Sequence, residues 1–370
     1  MPVTGTGAAV KRALSILALM LAVASGCSAV LPDGVIYPSI TPDAAASEAH
    51  IVDVSFTFEG QPVAFTVGVE GALYAGASAA DKQVIRFGNA RANDWIEDYF
   101  PAFITEEHQV PFYDALIGAF RTVRDQRGLD SDRYAELMTA YVQSITYHVD
   151  PADLSPKFPV ETFAEAMGDC DDKTLLLAAL LSREGYDVAV LMFEPEEHVA
   201  LGIRSADIGY RDTGYAFVET TVPGYIGQVP ESLEGGVVLA SEPRLFAIDG
   251  GQTAYAAGAQ VASILAARER AVAEAARLAA EITATDEALA SLEARVRATR
   301  DELAALKSQG QIAEYNAHVD SYNARVAEYN RALEVRNTLA AQHNAQAAID
   351  RAVAEGSTDR QGTYAAIASD

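Results

Sequence analysis

A cysteine, a histidine and a glutamate lie in three short motifs that together could support thiol chemistry. Cys170 sits in Gly168-Asp169-Cys170-Asp171-Asp172-Lys173, His198 in His198-Val199-Ala200, and Glu219 in Phe217-Val218-Glu219-Thr220-Thr221. A thiol attacks a carbonyl as its thiolate. An imidazole can hold that thiolate and then protonate the leaving group, and a carboxylate can orient the imidazole. The natural assignment is Cys170 as nucleophile, His198 as acid and base, and Glu219 as orienter.

The elements that would position these groups can be read from their flanks. Asp169 stands where a helix N-cap belongs, and Asp171 and Asp172 fall in the first turn, where carboxylates favour the helix dipole. The apolar run Thr174 to Leu181 continues that helix through Arg183, and Gly185 ends it. Cys170 is thus placed at a helix N-terminus, where free N–H groups stabilise a thiolate. The three neighbouring carboxylates oppose this, so the site needs a cation, and His198 is the candidate. The pattern then switches to strand: Tyr186 to Phe193, His198 to Arg204, and Tyr215 to Val222, with Val237 to Ile248 adding one or two more. A hairpin closed symmetrically by Ser205 to Asp212 places His198 opposite Glu219, with Cβ atoms roughly 5 Å apart. Upstream, Ile51 to Phe58 and Val63 to Val69 flank Glu59-Gly60-Gln61 as a β-hairpin. Phe112 to Arg127 reads as a helix ended by Gly128, and Ser131 or Asp132 caps the next, which runs to Ile145. Trp95, Tyr99 and Phe100 read as core aromatics.

The 370 residues carry a net charge of -25, which argues against nucleic acid as a partner. Lys11-Arg12, the apolar stretch Ala13 to Ala24 and Ala24-Ser25-Gly26-Cys27 form a targeting segment too short to span a bilayer as a mature helix. The last four residues resemble a lipoprotein signal, with Ala24 where Leu is usual. Cys27 would then carry lipid and anchor the protein outside the cytoplasm, at a prokaryotic cell surface or in a periplasm. The other reading is an ordinary cleaved signal peptide. Only two cysteines are present, so a lipidated Cys27 leaves Cys170 as a lone thiol, either reactive or buried. A Cys27–Cys170 disulfide is the third arrangement. Asp169, Asp171 and Asp172 could suggest a cation, but capping and dipole roles account for them, so no metal and no other cofactor is expected.

Beyond Tyr255 the chain has no proline. Ile282, Leu289, Val296 and Leu303 recur every seventh residue, joined by Leu292 and Leu306. Tyr315, Val319, Tyr322, Val326, Tyr329 and Leu333 make a second heptad set in another phase. The change of phase at Ser308-Gln309-Gly310-Gln311 suggests two helices folded back as an antiparallel hairpin. One long helix with a phase slip is the alternative.

The three motifs, with Gly185-Tyr186 after the cysteine helix, resemble the transglutaminase-like superfamily, and in particular its prokaryotic cysteine-hydrolase branch. The likeness is close over about 165–225 and weaker back through Val142-Gln143-Ser144 and the 51–69 hairpin. It implies an α+β fold with a papain-like core, in which a helix bearing Cys packs on an antiparallel sheet, followed here by the helical hairpin or coiled coil. It also implies thiol acyl transfer on a peptide or protein substrate, with hydrolysis favoured over cross-linking. By analogy with papain-like enzymes Gln143 is a candidate oxyanion donor beside the Cys170 N–H. The family usually carries Asp where this chain has Glu219. The alternative is an inactive module of the same fold whose coil recruits a partner or self-associates. The expected organisation is a signal peptide at 1–26 and a tether at 27–48. A transglutaminase-like domain follows at 49–250, with its hairpin at 49–70 and catalytic core at about 108–250. The coiled hairpin spans 256–352, and 353–370 is a disordered tail.

Overall fold

A computed structural model describes residues 34–87, 95–152, 154–233 and 236–369. The leader and Cys27 lie outside the described residues. Strand β1 (Gly34–Ile36) comes first, followed by Ile40, which is buried in the main core. Strands β2 (His50–Phe58) and β3 (Gln61–Val69) form an antiparallel hairpin in which Phe58 pairs with Gln61. Its turn, Glu59-Gly60, has both φ angles positive, at 51° and 67°, which matches the twist of the flanking strands. Helix α1 (Gly71–Ser78) follows, then β4 (Ile85–Phe87), which pairs with β1. The expected tether at 27–48 is therefore corrected over its described part: burial of Ile40 and pairing of Gly34–Ile36 fix it to the domain.

Helices α2 (Tyr99–Thr105), α3 (Val110–Arg127) and α4 (Ser131–Ser144) build one wall of the core. Gly128 ends α3 at φ 60°. Asp130, one residue before the expected caps, begins α4 by accepting the Arg133 N–H. Short β5 (Thr146–Tyr147), helix α5 (Pro159–Glu165) and β6 (Met167–Gly168) lead into helix α6 (Cys170–Arg183). Every residue from Leu175 to Leu181 is fully buried. An all-round apolar helix must be enclosed on every side, and α6 is packed by α2, α4, α5 and the sheet.

That sheet contains β7 (Val188–Phe193), β8 (His198–Arg204), β9 (Tyr215–Val218) and β10 (Arg244–Ile248), all antiparallel, in the order β10-β7-β8-β9. Alternate residues enter two apolar clusters: Val190, Leu201 and Val218 join the main core, while Leu191, Ala200 and Phe217 join a smaller one. Burial on both faces explains the continuous apolar runs of these strands. The β8–β9 register differs from symmetric closure. Arg204 pairs with Tyr215 and Leu201 with Val218, a register that would carry Thr221, not Glu219, level with His198. The loop closes later than expected because Ser205 N–H bonds Gly214 O, and Gly214 takes φ 74°. The slip is even, so His198 and Glu219 keep the same face.

Helices α7 (Gly258–Ser308) and α8 (Ile312–Glu355) form a long antiparallel pair joined by a turn at Gly310, whose φ is 71°. Arg268 meets Asp350, Asp286 meets Arg336, and Arg295 meets Glu328, so sequence numbers run in opposite directions along the seam. Leu289, Leu292 and Leu303 are buried in it. Helix α9 (Arg360–Ser369) then returns to the globular part. The expectation of a disordered tail at 353–370 is corrected over its described part. Val353 and Arg360 are buried, the Arg360 guanidinium pairs with Glu136 and Gln260, and Glu59 N–H bonds Thr358 O.

Candidate active site

Helix α6 begins with a capping box: Asp169 Oδ1 accepts the Asp172 N–H at 3.2 Å, and Asp172 Oδ2 accepts the Asp169 N–H at 3.3 Å. Gly168 is required by space, since a Cβ there would lie 2.6 Å from the Asp172 Cβ. This start puts Cys170 at the edge of a cavity of about 90 Å³. Its walls include Tyr147, Glu196, Glu197, His198 and Thr221. Thr174, one turn along α6, bonds Val199 O at 3.3 Å and the Thr220 hydroxyl at 3.1 Å. The cysteine helix is thereby fixed to both chain segments that carry the other two groups.

His198, 6 % exposed, and Glu219, 2 % exposed, are joined by Nε2···Oε2 at 3.1 Å. The other carboxylate oxygen of Glu219 accepts the N–H groups of Thr220 and Thr221 at 3.0 and 2.9 Å and the Thr221 hydroxyl at 2.6 Å. Burial works to raise the Glu219 pKa, but the His198 and Thr221 bonds outweigh it and hold the carboxyl below its ordinary value. Glu219 therefore stays an acceptor, and Nε2–H is the donor. The imidazole Nδ1 is left to exchange a proton with a thiol.

Cys170 stands in the opposite electrostatic situation. Burial, followed by the charge of Asp171, pushes its thiol up to about 12, with Asp169 adding to the rise; the N–H groups of Val199 and Asp171 pull it down less strongly. The helix terminus alone does not make a thiolate here. Among the described residues no hydrogen bond joins Cys170 to His198, although both line the same cavity. Burial and then Asp169 raise the Asp171 carboxyl well above its usual value. Burial and Asp169 also push Asp172 up to about 7.

The expected oxyanion donor is placed elsewhere. Gln143 lies outside the cavity lining, and both hydrogens of its amide are committed, to Glu219 O at 2.8 Å and Gly224 O at 3.0 Å. This corrects the reading of Gln143 as oxyanion donor: a side chain saturated by backbone carbonyls has no hydrogen left for substrate. The Cys170 N–H at the start of α6 is the remaining candidate donor. Asp169, Cys170 and Asp171 bring ligand atoms within 4.8 Å of one another, the one such group among the described residues. They offer two carboxylates and a sulfur, fewer oxygens than calcium takes, and one Asp169 oxygen already caps α6. Sequence reasoning passed over Thr221 and Lys173. Thr221 follows Glu219 by two residues, the spacing of a local side-chain bond, and Lys173 is a charged residue leading an apolar run.

Comparison of the chain with family models, with curated proteins and with solved structures finds no match.

Proposed function

We propose that Cys170, His198 and Glu219 form a thiol acyl-transfer centre acting on a peptide or amide bond, as in the transglutaminase-like cysteine hydrolases that their motifs resemble. The observation that carries this reading is the buried His198–Glu219 bond at 3.1 Å, with His198 and Cys170 walling one cavity. In the proposed sequence the Cys170 proton passes to His198 Nδ1 as sulfur adds to the substrate carbonyl. The C–N bond then breaks, His198 returns that proton to the leaving amine, and a thioester remains on Cys170. Water loses a proton to His198 and attacks the thioester, releasing acid and free thiol. The developing oxyanion takes the Cys170 N–H. Glu219 holds the ring throughout and stabilises the imidazolium.

The proposal includes a lipid anchor on Cys27, outside the described residues. None of the described helices is long and apolar enough to cross a membrane. Cys27→Ser should release the protein from the membrane fraction, and retention after a high-salt wash would refute the anchor. The antiparallel helical pair is a proposed surface for a partner or a second copy. The second reading, a binding module without turnover, draws support from the burial and neighbouring carboxylates that raise the Cys170 thiol. Digestion of a peptide library, read by mass spectrometry, separates the two. New termini should appear with the native chain and fall by about 10²–10⁴-fold with Cys170→Ala or His198→Ala. Equal products from Cys170→Ala would refute the thiol mechanism. No products from any form, with Cys170 unreactive toward iodoacetamide, would leave the binding module.

A further inference from the structure

A buried polar group not yet assigned a role lies behind Glu219. Strand β9 stops at Val218, so the backbone from Glu219 to Gly224 has no strand neighbour to pair with. Buried backbone groups must find partners elsewhere; the Glu219 carboxylate takes the Thr220 and Thr221 N–H groups, and the Gln143 side chain takes three more. Gln143 Nε2 donates to Glu219 O and Gly224 O, and its Oε1 accepts the Gly224 N–H at 3.3 Å. Gln143 is itself 6 % exposed and sits in the last turn of α4. That turn is held in place from the cysteine helix. Lys173, fully buried and one turn after Cys170, donates to Ile145 O at 2.8 Å and to Gln143 O at 3.4 Å. These carbonyls close α4, where a cation is favoured. The nucleophile's helix thus grips α4, and α4 grips the orienting acid.

We propose that Gln143 is a positioning residue for Glu219: it fixes the acid's backbone, and through it the His198 ring, while Lys173 fixes Gln143's helix end to the Cys170 helix. The inference rests on the reading of Cys170, His198 and Glu219 as a working unit. It differs from a general packing role in one respect. Gln143 should act only through Glu219, so its loss should matter only while Glu219 is present.

The test is a double-mutant cycle on the full chain, read by Cys170 alkylation with iodoacetamide at pH 7 and by the ¹⁵N shifts of the His198 ring. Gln143→Leu and Glu219→Ala should each slow alkylation by roughly ten- to a hundredfold, the cost of misplacing a reacting group by about 1 Å. The double variant should be no slower than Glu219→Ala, and Gln143→Leu should move the His198 ring signals toward those of Glu219→Ala. Full additivity, or native ring signals in a folded Gln143→Leu, would overturn the proposal. Should Gln143→Leu fail to fold, Gln143→Glu keeps the acceptor for Gly224 and loses both donors, with the same expected outcome. The native chain supplies a further check: the Gly224 N–H should be protected from hydrogen exchange, and open-loop exchange there would also overturn the proposal. If Glu219→Ala leaves alkylation unchanged, the triad reading fails, while the ring signals still report whether Gln143 sets the His198–Glu219 bond.

Discussion

At Cys170 two fields compete. Burial and the Asp171 and Asp169 charges push the thiol up to about 12, while His198, engaged on its far nitrogen by Glu219, can take the proton. Cys170 and His198 line the same cavity, where the imidazole is placed to accept the thiol proton. Alkylation at pH 6–8 should therefore be measurable in the native chain and should collapse in His198→Ala, where the thiol titrates far above the free value of about 8.5. Identical pH profiles for the two proteins would rule out His198 as the thiol's base. Glu219→Gln should cost less than His198→Ala, because an amide oxygen still accepts the imidazole N–H but no longer stabilises the imidazolium. Glu219→Asp tests the reach of the acid. Its shorter carboxylate has to span the 3.1 Å contact from the same backbone, and activity at or above native would show that an aspartate fits here.

At the scale of the element, α6 combines a polar start and an apolar body, and the two can be perturbed separately. Asp169→Ala removes the cap and should destabilise the protein by about 1 kcal/mol. Asp169→Asn keeps an acceptor for the Asp172 N–H and removes a charge that raises the Cys170 thiol. Asn should therefore retain most of the stability and speed alkylation relative to native. Equal alkylation by the Asn variant and the native chain would show that the Asp169 charge does not reach the sulfur. In the body of the helix, Leu177 is fully buried, and Leu177→Ala should cost about 2–5 kcal/mol in chemical denaturation. That loss should appear without a change in the pH dependence of alkylation, because the side chain lies in the core and not in the cavity lining.

The whole molecule is tied together where the helical pair returns to the globular part. Arg360 pairs with Glu136, the Tyr255 hydroxyl bonds Glu136 at 2.6 Å, and the Tyr225 hydroxyl bonds Val353 O at 3.1 Å. Burial pushes Glu136 up to about 7, although Arg360 and Tyr255 pull it down. A carboxyl that holds its proton more tightly folded than unfolded gives stability that is full below the unfolded value of about 4.3. That stability is lost as pH climbs through about 7, the folded value. Asp172 contributes in the same sense. The native chain should therefore melt at a lower temperature at pH 8 than at pH 5. Arg360→Met should widen that gap, since Glu136 then ionises without its cation. A gap unchanged in Arg360→Met would mean that Glu136 does not titrate in this range. Farther out, spin labels at Val296 and Val326 in a background free of other cysteines should lie close together in a monomer, because neighbouring Thr299 and Arg325 are bonded across the pair. A continuous helix would separate the two labels by about 45 Å.

Several features were legible because their causes are local. The start of α6 follows from Asp169 and Asp172 three residues apart ahead of an apolar run, and the β2–β3 turn follows from Glu59-Gly60 between alternating strands. The two-helix pair follows from heptads that change phase at Gly310. The residue types of Cys170, His198 and Glu219 and their order were equally plain. Their relation in space was not. The β8–β9 register was set by a late closure at Gly214, which symmetric reasoning misses by two residues, and the contact survives because the slip is even. The ordered stretch around Ile40 and the docking of α9 depend on partners distant in sequence, Glu106 for the Ile40 N–H and Glu136 for Arg360, so composition alone made both segments look loose. Gln143 shows the limit most plainly. Analogy with papain-like enzymes suggests an amide free to meet substrate, but a strand that ends at Val218 leaves backbone groups to be satisfied. Only the folded chain shows that Gln143 is the residue within reach of them.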